Sequence, residues 1–194
     1  QPVEVGIVQP NYEPHYEKFK VDPELQMIKY EKLSRSAMSP NTRFLLWPET
    51  SFEFLTSGNF EEHRSLARMK QIVSVYPSLC LVTGLGTIKP IQKGEPLTAA
   101  ARPNRMGNPE YFEVQNSAAL ICGDSNEYPV YVKSKLVPGV ETFPYRQFLP
   151  FLKPIVDILG GSVYGLGKQA QRSIFEQSNL KIAPVICYES IYGA

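Results

Sequence analysis

The spacing of apolar and polar residues changes period several times along the chain. "VEVGIVQ" (3–9) alternates and is β-branched, which predicts a strand, and the polar, aromatic stretch 10–20 reads as a loop. Asp22-Pro23-Glu24 is a helix start: a capping acid, proline at the first position, an acid in the first turn. That helix is expected to run to about Ala37, before Ser39-Pro40. "TRFLLW" (42–47) predicts a short apolar strand ending at "PET". A second helix is expected from Asn59, with Glu61 and Glu62 in its first turn and Leu66, Met69, Val73 and Tyr76 on one face, until Pro77 stops it.

"LCLVTGLG" (79–86) predicts a strand with glycines at its end, and 89–110 reads as loop. "YFEVQNSAALICG" (111–123) and "YPVYVK" (128–133) predict a strand pair joined by the "GDSNE" turn. Residues 143–168 are apolar and aromatic but broken by prolines and glycines. "SIFEQ" and "LKIAPVIC" predict two closing strands. The order β-α-β-α-β followed by strands predicts a layered α/β protein in one domain over 1–194.

Composition narrows this reading. At 194 residues, 43% apolar and 20% charged, the chain has globular values and length for a sizeable core. A net charge of +1, without a Lys/Arg block, gives no reason to expect nucleic acid as a partner. No apolar run reaches the ~18 residues of a transmembrane helix, and no signal peptide is visible. The start at Gln1, directly before a strand, reads as an excised or processed domain. Cys80, Cys122 and Cys187 form neither CxxC nor a Cys/His zinc spacing, and His15 and His63 lie far apart, so neither a metal site nor a disulfide framework is expected.

Two glycine-rich stretches imitate nucleotide sites and fail on spacing. In "GLGTIK" the third glycine of GxGxxG falls at Lys89; in "SVYGLGKQ", Ser162 and Gln169 occupy the defining P-loop positions. Their glycines are expected in turns.

The stronger constellation is dispersed. Glu49 in "WPET" follows an apolar strand, where a carboxylate is expected on the sheet rim and partly desolvated. Lys133 ends another strand, with Glu141 eight residues on, and Cys187 ends a third. A thiol needs a base to become a nucleophile, and the oxyanion it generates needs cations or N–H donors. Each residue alone has an ordinary reading: a core cysteine, a solvated loop acid, a lysine guarding a strand edge, and surface acids at Glu141 and Glu189. Their joint placement at strand ends favours the chemical one.

"WPET", "YVKSKLVP" and "VICYE", in that order, resemble the carbon–nitrogen hydrolase (nitrilase) superfamily. With "VGIVQPN", "QNSAALI" and a glutamate eight residues after the lysine, the set is similar to the extramembrane domain of the apolipoprotein N-acyltransferase family, over essentially the whole chain. The resemblance implies an α-β-β-α sandwich. It also implies that Glu49 is general base, Lys133 oxyanion stabiliser and Cys187 nucleophile, with Glu141, Tyr188 and Glu189 supporting them. The Tyr188 N–H would contribute to the oxyanion hole.

The implied reaction moves a fatty acyl chain from phospholipid, through a thioester on Cys187, to the α-amine of a diacylglyceryl-cysteine on an apolipoprotein. No metal or organic cofactor is implied. The implied location is the bacterial inner membrane with this domain on the periplasmic side, anchored by helices that this chain does not contain.

The chain departs from the family in three places. Lys135 replaces a histidine in "KLVPGVE"; the Y-x-K pattern leaves Lys133 as the catalytic choice. Phe19 stands for an early aromatic loop residue. The family's domain continues beyond the nucleophile, so the sandwich is expected to be incomplete at the C-terminus. Phe148, Phe151, Leu152, Ile155 and Ile158 fit a lipid-facing lid, or else an apolar loop packed on the sheet. Two rival functions are a soluble amidase of the same superfamily, with water resolving the acyl-enzyme, and a non-catalytic binding domain. Flanking hydrophobic helices separate the first rival from the transferase. The reactivity of Cys187 relative to Cys80 and Cys122 separates the second.

Overall fold

The computed structural model describes residues 2–12, 21–49, 51–56 (backbone only for 52–56), 63–105, 107–142 and 164–192. The chain divides into two compact units: residues 1–53, 59–85 and 118–130 form the first, and 54–58, 86–117 and 131–194 the second.

In the first unit β1 (Glu4–Ile7), β2 (Thr42–Leu46) and the start of β4 (Cys80–Ile91) pair in parallel. The end of β6 (Tyr111–Cys122) follows β4 in the strand order. Parallel neighbours need crossovers. Helix α1 (Pro23–Ala37) makes the first, and α2 (Arg64–Val73) lies within the second. Helix α1 starts where the sequence predicts, because Asp22 accepts from the N–H groups of Glu24 (2.8 Å) and Leu25 (3.4 Å). Gly6 brings β1 against the helix end: a Cβ there would lie 2.5 Å from the Ala37 carbonyl oxygen. Tyr30 and Trp47 pack with ring centroids 4.7 Å apart, and the Trp47 indole donates to Ser34 Oγ at 2.9 Å.

Helix α2 buries Leu66, Met69 and Val73, as the spacing predicts, and also Ile72, while Tyr76 lies beyond its end and is half-buried. The start predicted at Asn59 lies outside the described residues. Arg68 of α2 bridges Glu31 (2.6 Å) and Glu24 (2.5 Å) of α1.

Contrary to the expectation of no disulfide framework, the structure contains a disulfide. Cys80 and Cys122, the first residue of β4 and the last of β6, are bonded, both buried. Spacing rules look for clustered cysteines; these two lie 42 residues apart and meet because their strands are neighbours.

In the second unit β4 continues to Ile91, past the residue where the sequence reading ends it. Gly84 and Gly86 are therefore strand residues, not turn residues. The strand also meets a buried polar row: Thr87 bonds Gln115 (3.1 Å) and Ser117 (2.8 Å). Short β5 (Arg102–Pro103) pairs antiparallel with β6 inside the expected loop 89–110. β7 (Val130–Val132) pairs with β6 across the predicted "GDSNE" connection. A strand the pattern does not announce, β3 (Phe52–Thr56), pairs with β4.

β8 (Phe175–Gln177) and β9 (Leu180–Ile182) form a hairpin whose two central residues, Ser178 and Asn179, have φ of 50° and 66°. That is the backbone a tight two-residue turn demands. The closing strand is shorter than its apolar run predicts. It stops before Pro184, which lacks the N–H for a ladder, and residues 183–186 lead instead into a 3-10 turn at Cys187–Ile191.

Candidate active site

The site elements of the second unit are built around one carboxylate. "CYES" forms a single 3-10 turn, with Ile186 extended before it. Glu189, third in the turn, reaches back so that Oε2 accepts from the Ile186 N–H at 3.0 Å. Its Oε1 faces the segment after β7. There it accepts from the Ser134 N–H and hydroxyl (2.7 Å each), the Tyr131 hydroxyl (2.7 Å) and the Lys135 N–H (3.2 Å). Glu189 is 0% exposed, so the ordinary reading of a surface acid fails. Burial pushes its carboxyl up. Hydrogen bonds from the Ile186 N–H, the Ser134 hydroxyl, the Tyr131 hydroxyl and the Ser134 N–H outweigh it and hold the group at about 2. Glu189 thus ties the cysteine-bearing turn to the segment that carries Lys133.

Lys133 follows β7, and its N–H donates to the Asn116 carbonyl at 2.8 Å. It is 0% exposed, which removes the edge-guarding reading. Its ammonium sits 2.8 Å from Glu141 Oε1, while Glu141 Oε2 accepts from the Val137 N–H at 2.8 Å. The loop returning Glu141 is closed by Glu141 N–H to Val137 O (2.9 Å) and Gly139 N–H to Thr142 O (2.9 Å), with Gly139 at φ +82°. Lys135, the other lysine of "KSK", is exposed and lies near the Tyr192 ring.

Cys187 opens the turn with φ +49°, is exposed, and is free. A left-handed conformation costs a non-glycine residue about 1–3 kcal/mol and persists where surrounding bonds enforce it. Here Glu189 supplies them. Tyr188 is half-buried, with its ring edge-on to Tyr192 at 5.4 Å.

The glycines of "YGLGK" serve this neighbourhood rather than a nucleotide. Gly165 has φ +69°, and a Cβ there would lie 2.9 Å from the Glu141 carbonyl oxygen. A Cβ on Gly167 would meet Glu113 Oε2 at 2.5 Å.

Glu49 lies in the first unit and is exposed, so the expected desolvation is absent: the chain leaves β2 at Trp47-Pro48 before reaching it. Phe19, Phe148, Phe151 and Leu152 lie outside the described residues, as do Ile155 and Ile158. Sequence reasoning missed Tyr131, Ser134 and Arg172. The first two were visible only as "YVKS", whose polar members look solvent-facing until Glu189 is seen to be buried. Among the described residues no His/Cys/Asp/Glu cluster suits a metal ion, and no helix is long and apolar enough to cross a membrane.

No protein-family model matches the chain. Curated relatives do. An apolipoprotein N-acyltransferase of Chlorobaculum tepidum is 25% identical over 98% of this chain and 36% of its own length. That of Azotobacter vinelandii is 29% identical over 98% of this chain and 32% of its own. That of Rickettsia prowazekii is 33% identical over 43% of this chain. The chain thus spans about a third of the length of the first two. Among solved structures, Saccharomyces cerevisiae Nit3, a member of branch 10 of the nitrilase superfamily, superposes with a TM-score of 0.59 at 13% identity, covering 98% of this chain and 57% of Nit3. The chain therefore has a nitrilase-superfamily fold and, over nearly its whole length, is similar in sequence to the apolipoprotein N-acyltransferases.

Proposed function

We propose that this chain carries the acyl-transfer site of an enzyme that N-acylates lipoproteins, with Cys187 as nucleophile. The observation that carries the reading is the Lys133–Glu141 ion pair set directly beside Tyr131 and Ser134, the donors to the buried carboxylate of Glu189. Together these groups hold an ammonium and a strained, exposed cysteine on two segments joined by one carboxylate. A purely structural cysteine needs neither a positive φ nor a buried ion pair beside its segment.

In the proposed reaction a base, the role the sequence resemblance gives to Glu49, takes the Cys187 proton, and the thiolate attacks the ester carbonyl of a phospholipid. Negative charge on the carbonyl oxygen is met by Lys133 Nζ and the Tyr188 N–H. The tetrahedral intermediate collapses, the C–O bond breaks, and the lysophospholipid alkoxide leaves with the proton from that base. The α-amine of a diacylglyceryl-cysteine then attacks the thioester. The C–S bond breaks, an amide forms, and the amine's proton returns to the sulfur. Glu141 holds the Lys133 ammonium in place. The acceptor and donor follow from the relatives' name and from the sequence resemblance, and the membrane partner belongs to the same proposal.

The test is acyl transfer from phospholipid to a diacylglyceryl-cysteine peptide by the full-length protein. Cys187→Ala and Lys133→Met are expected to abolish transfer, and Lys181→Ala, at an exposed position, to leave it intact. Hydrolysis of short soluble amides with no transfer to the peptide would favour the amidase reading instead. Full activity in Cys187→Ala would refute both.

A further inference from the structure

A single 3-10 turn has poor hydrogen-bond geometry and little capacity to hold itself. The turn carrying Cys187 is five residues long and begins with a strained backbone. Glu189 secures its entrance through the Ile186 N–H. Its exit is secured by a residue from another segment. Arg172, three residues before β8, donates from Nη2 to the Glu189 carbonyl at 2.8 Å and to the Tyr192 carbonyl at 3.3 Å. Last-turn carbonyls have no partners within their own helix and carry partial negative charge, so a cation there is favoured twice, as donor and as charge. The same carbonyl receives the Tyr192 N–H at 3.2 Å, so Arg172 closes the turn around its last residues.

We propose that Arg172 is a positioning residue for the nucleophile, acting through the backbone of the turn. This rests on the reading of Cys187 as nucleophile. Glu189 fixes the turn to the Lys133 segment, and Arg172 stops the exit from unwinding. Between these two restraints the Cys187 sulfur is kept at one position. Removing Arg172 lets the turn relax toward ordinary φ values and moves the sulfur away from the position in which it attacks.

The experiment compares parent, Arg172→Gln and Arg172→Lys in the full-length protein. It measures kcat and KM for acyl transfer, thioester formation at Cys187 by peptide mass spectrometry, and the thermal unfolding midpoint. A misplaced nucleophile costs roughly 10- to 100-fold in kcat. Arg172→Gln is expected to show that loss with KM for phospholipid within about twofold of parent, because the proposed role of Arg172 is to place the attacking sulfur and not to bind substrate. Arg172→Lys, which can still donate to both carbonyls, is expected to recover most of kcat.

A kcat within about twofold of parent in Arg172→Gln overturns the proposal. So does a loss that tracks the fraction unfolded at the assay temperature, or one that Arg172→Lys does not relieve. A parent enzyme that forms no thioester on Cys187 removes the nucleophile reading and this inference together.

Discussion

The ammonium of Lys133 and the carboxylate of Glu141 form a 2.8 Å ion pair, with side-chain exposures of 1% and 14%. Desolvating such a pair costs several kcal/mol, so it contributes little net stability, while leaving one member alone is strongly destabilising. Stability and catalysis therefore separate. Glu141→Gln is expected to lower unfolding free energy by about 3–5 kcal/mol. The double variant Lys133→Met with Glu141→Leu is expected to restore most of that loss while remaining without transfer activity. Denaturant unfolding beside the transfer assay checks both.

Glu189 supplies a pH prediction. Its folded-state carboxyl is held at about 2, below the ordinary 4.5. A depressed carboxyl contributes stability that is present above the unfolded value and lost as pH falls through the folded one. The gap is worth roughly 3 kcal/mol at one pH unit per 1.4 kcal/mol. Glu189→Gln is thus expected to be destabilised by about that amount from pH 5 upward, the difference from parent narrowing between pH 4.5 and 2. Urea titrations across that window measure it. A difference that stays constant with pH would show that the charge of Glu189 is not what the network uses.

The Cys80–Cys122 bond changes how the thiols are to be read. Without reductant only Cys187 is expected to take up iodoacetamide, one adduct per chain, because the other two sulfurs are joined. Replacing the pair with Ala is expected to cost about 2–4 kcal/mol of stability without abolishing transfer. Intact mass and thermal unfolding with and without reductant check this.

Gly165 presses on the glutamate that holds the lysine. Its φ of +69° and the 2.9 Å approach to the Glu141 carbonyl leave no room for a side chain. Gly165→Ala is expected to cost about 1–3 kcal/mol and to lower kcat by displacing the Glu141 loop. Gly94→Ala, also at positive φ but with open space around its Cβ position, is expected to cost stability without affecting kcat.

Much of this was legible in the sequence, for identifiable reasons. Helix α1 has its cap, proline and acid in three consecutive residues, so local chemistry decides it. The β6 and β7 pair is likewise announced by two strand-like runs around a polar turn. The order of Glu49, Lys133 and Cys187 was readable as a pattern. The long-range outcomes were not. Nothing local says that Cys80 will face Cys122 across a strand pair, nor that Glu189 will be buried beneath Tyr131 and Ser134 from 55 or more residues away. Pro184 was visible, but an apolar run masked its effect on the last strand. The glycines of "GLGT" looked like a turn because a strand interior rarely tolerates two; here the strand simply continues.

The covalent intermediate tests the central claim most directly. Full-length protein incubated with phospholipid and no amine acceptor is expected to gain one fatty acyl mass on the peptide containing Cys187. The adduct should be released by neutral hydroxylamine, transferred when a diacylglyceryl-cysteine peptide is added, and absent in Cys187→Ala. An active enzyme with no adduct at Cys187, or with its acyl group on another residue, would contradict the account.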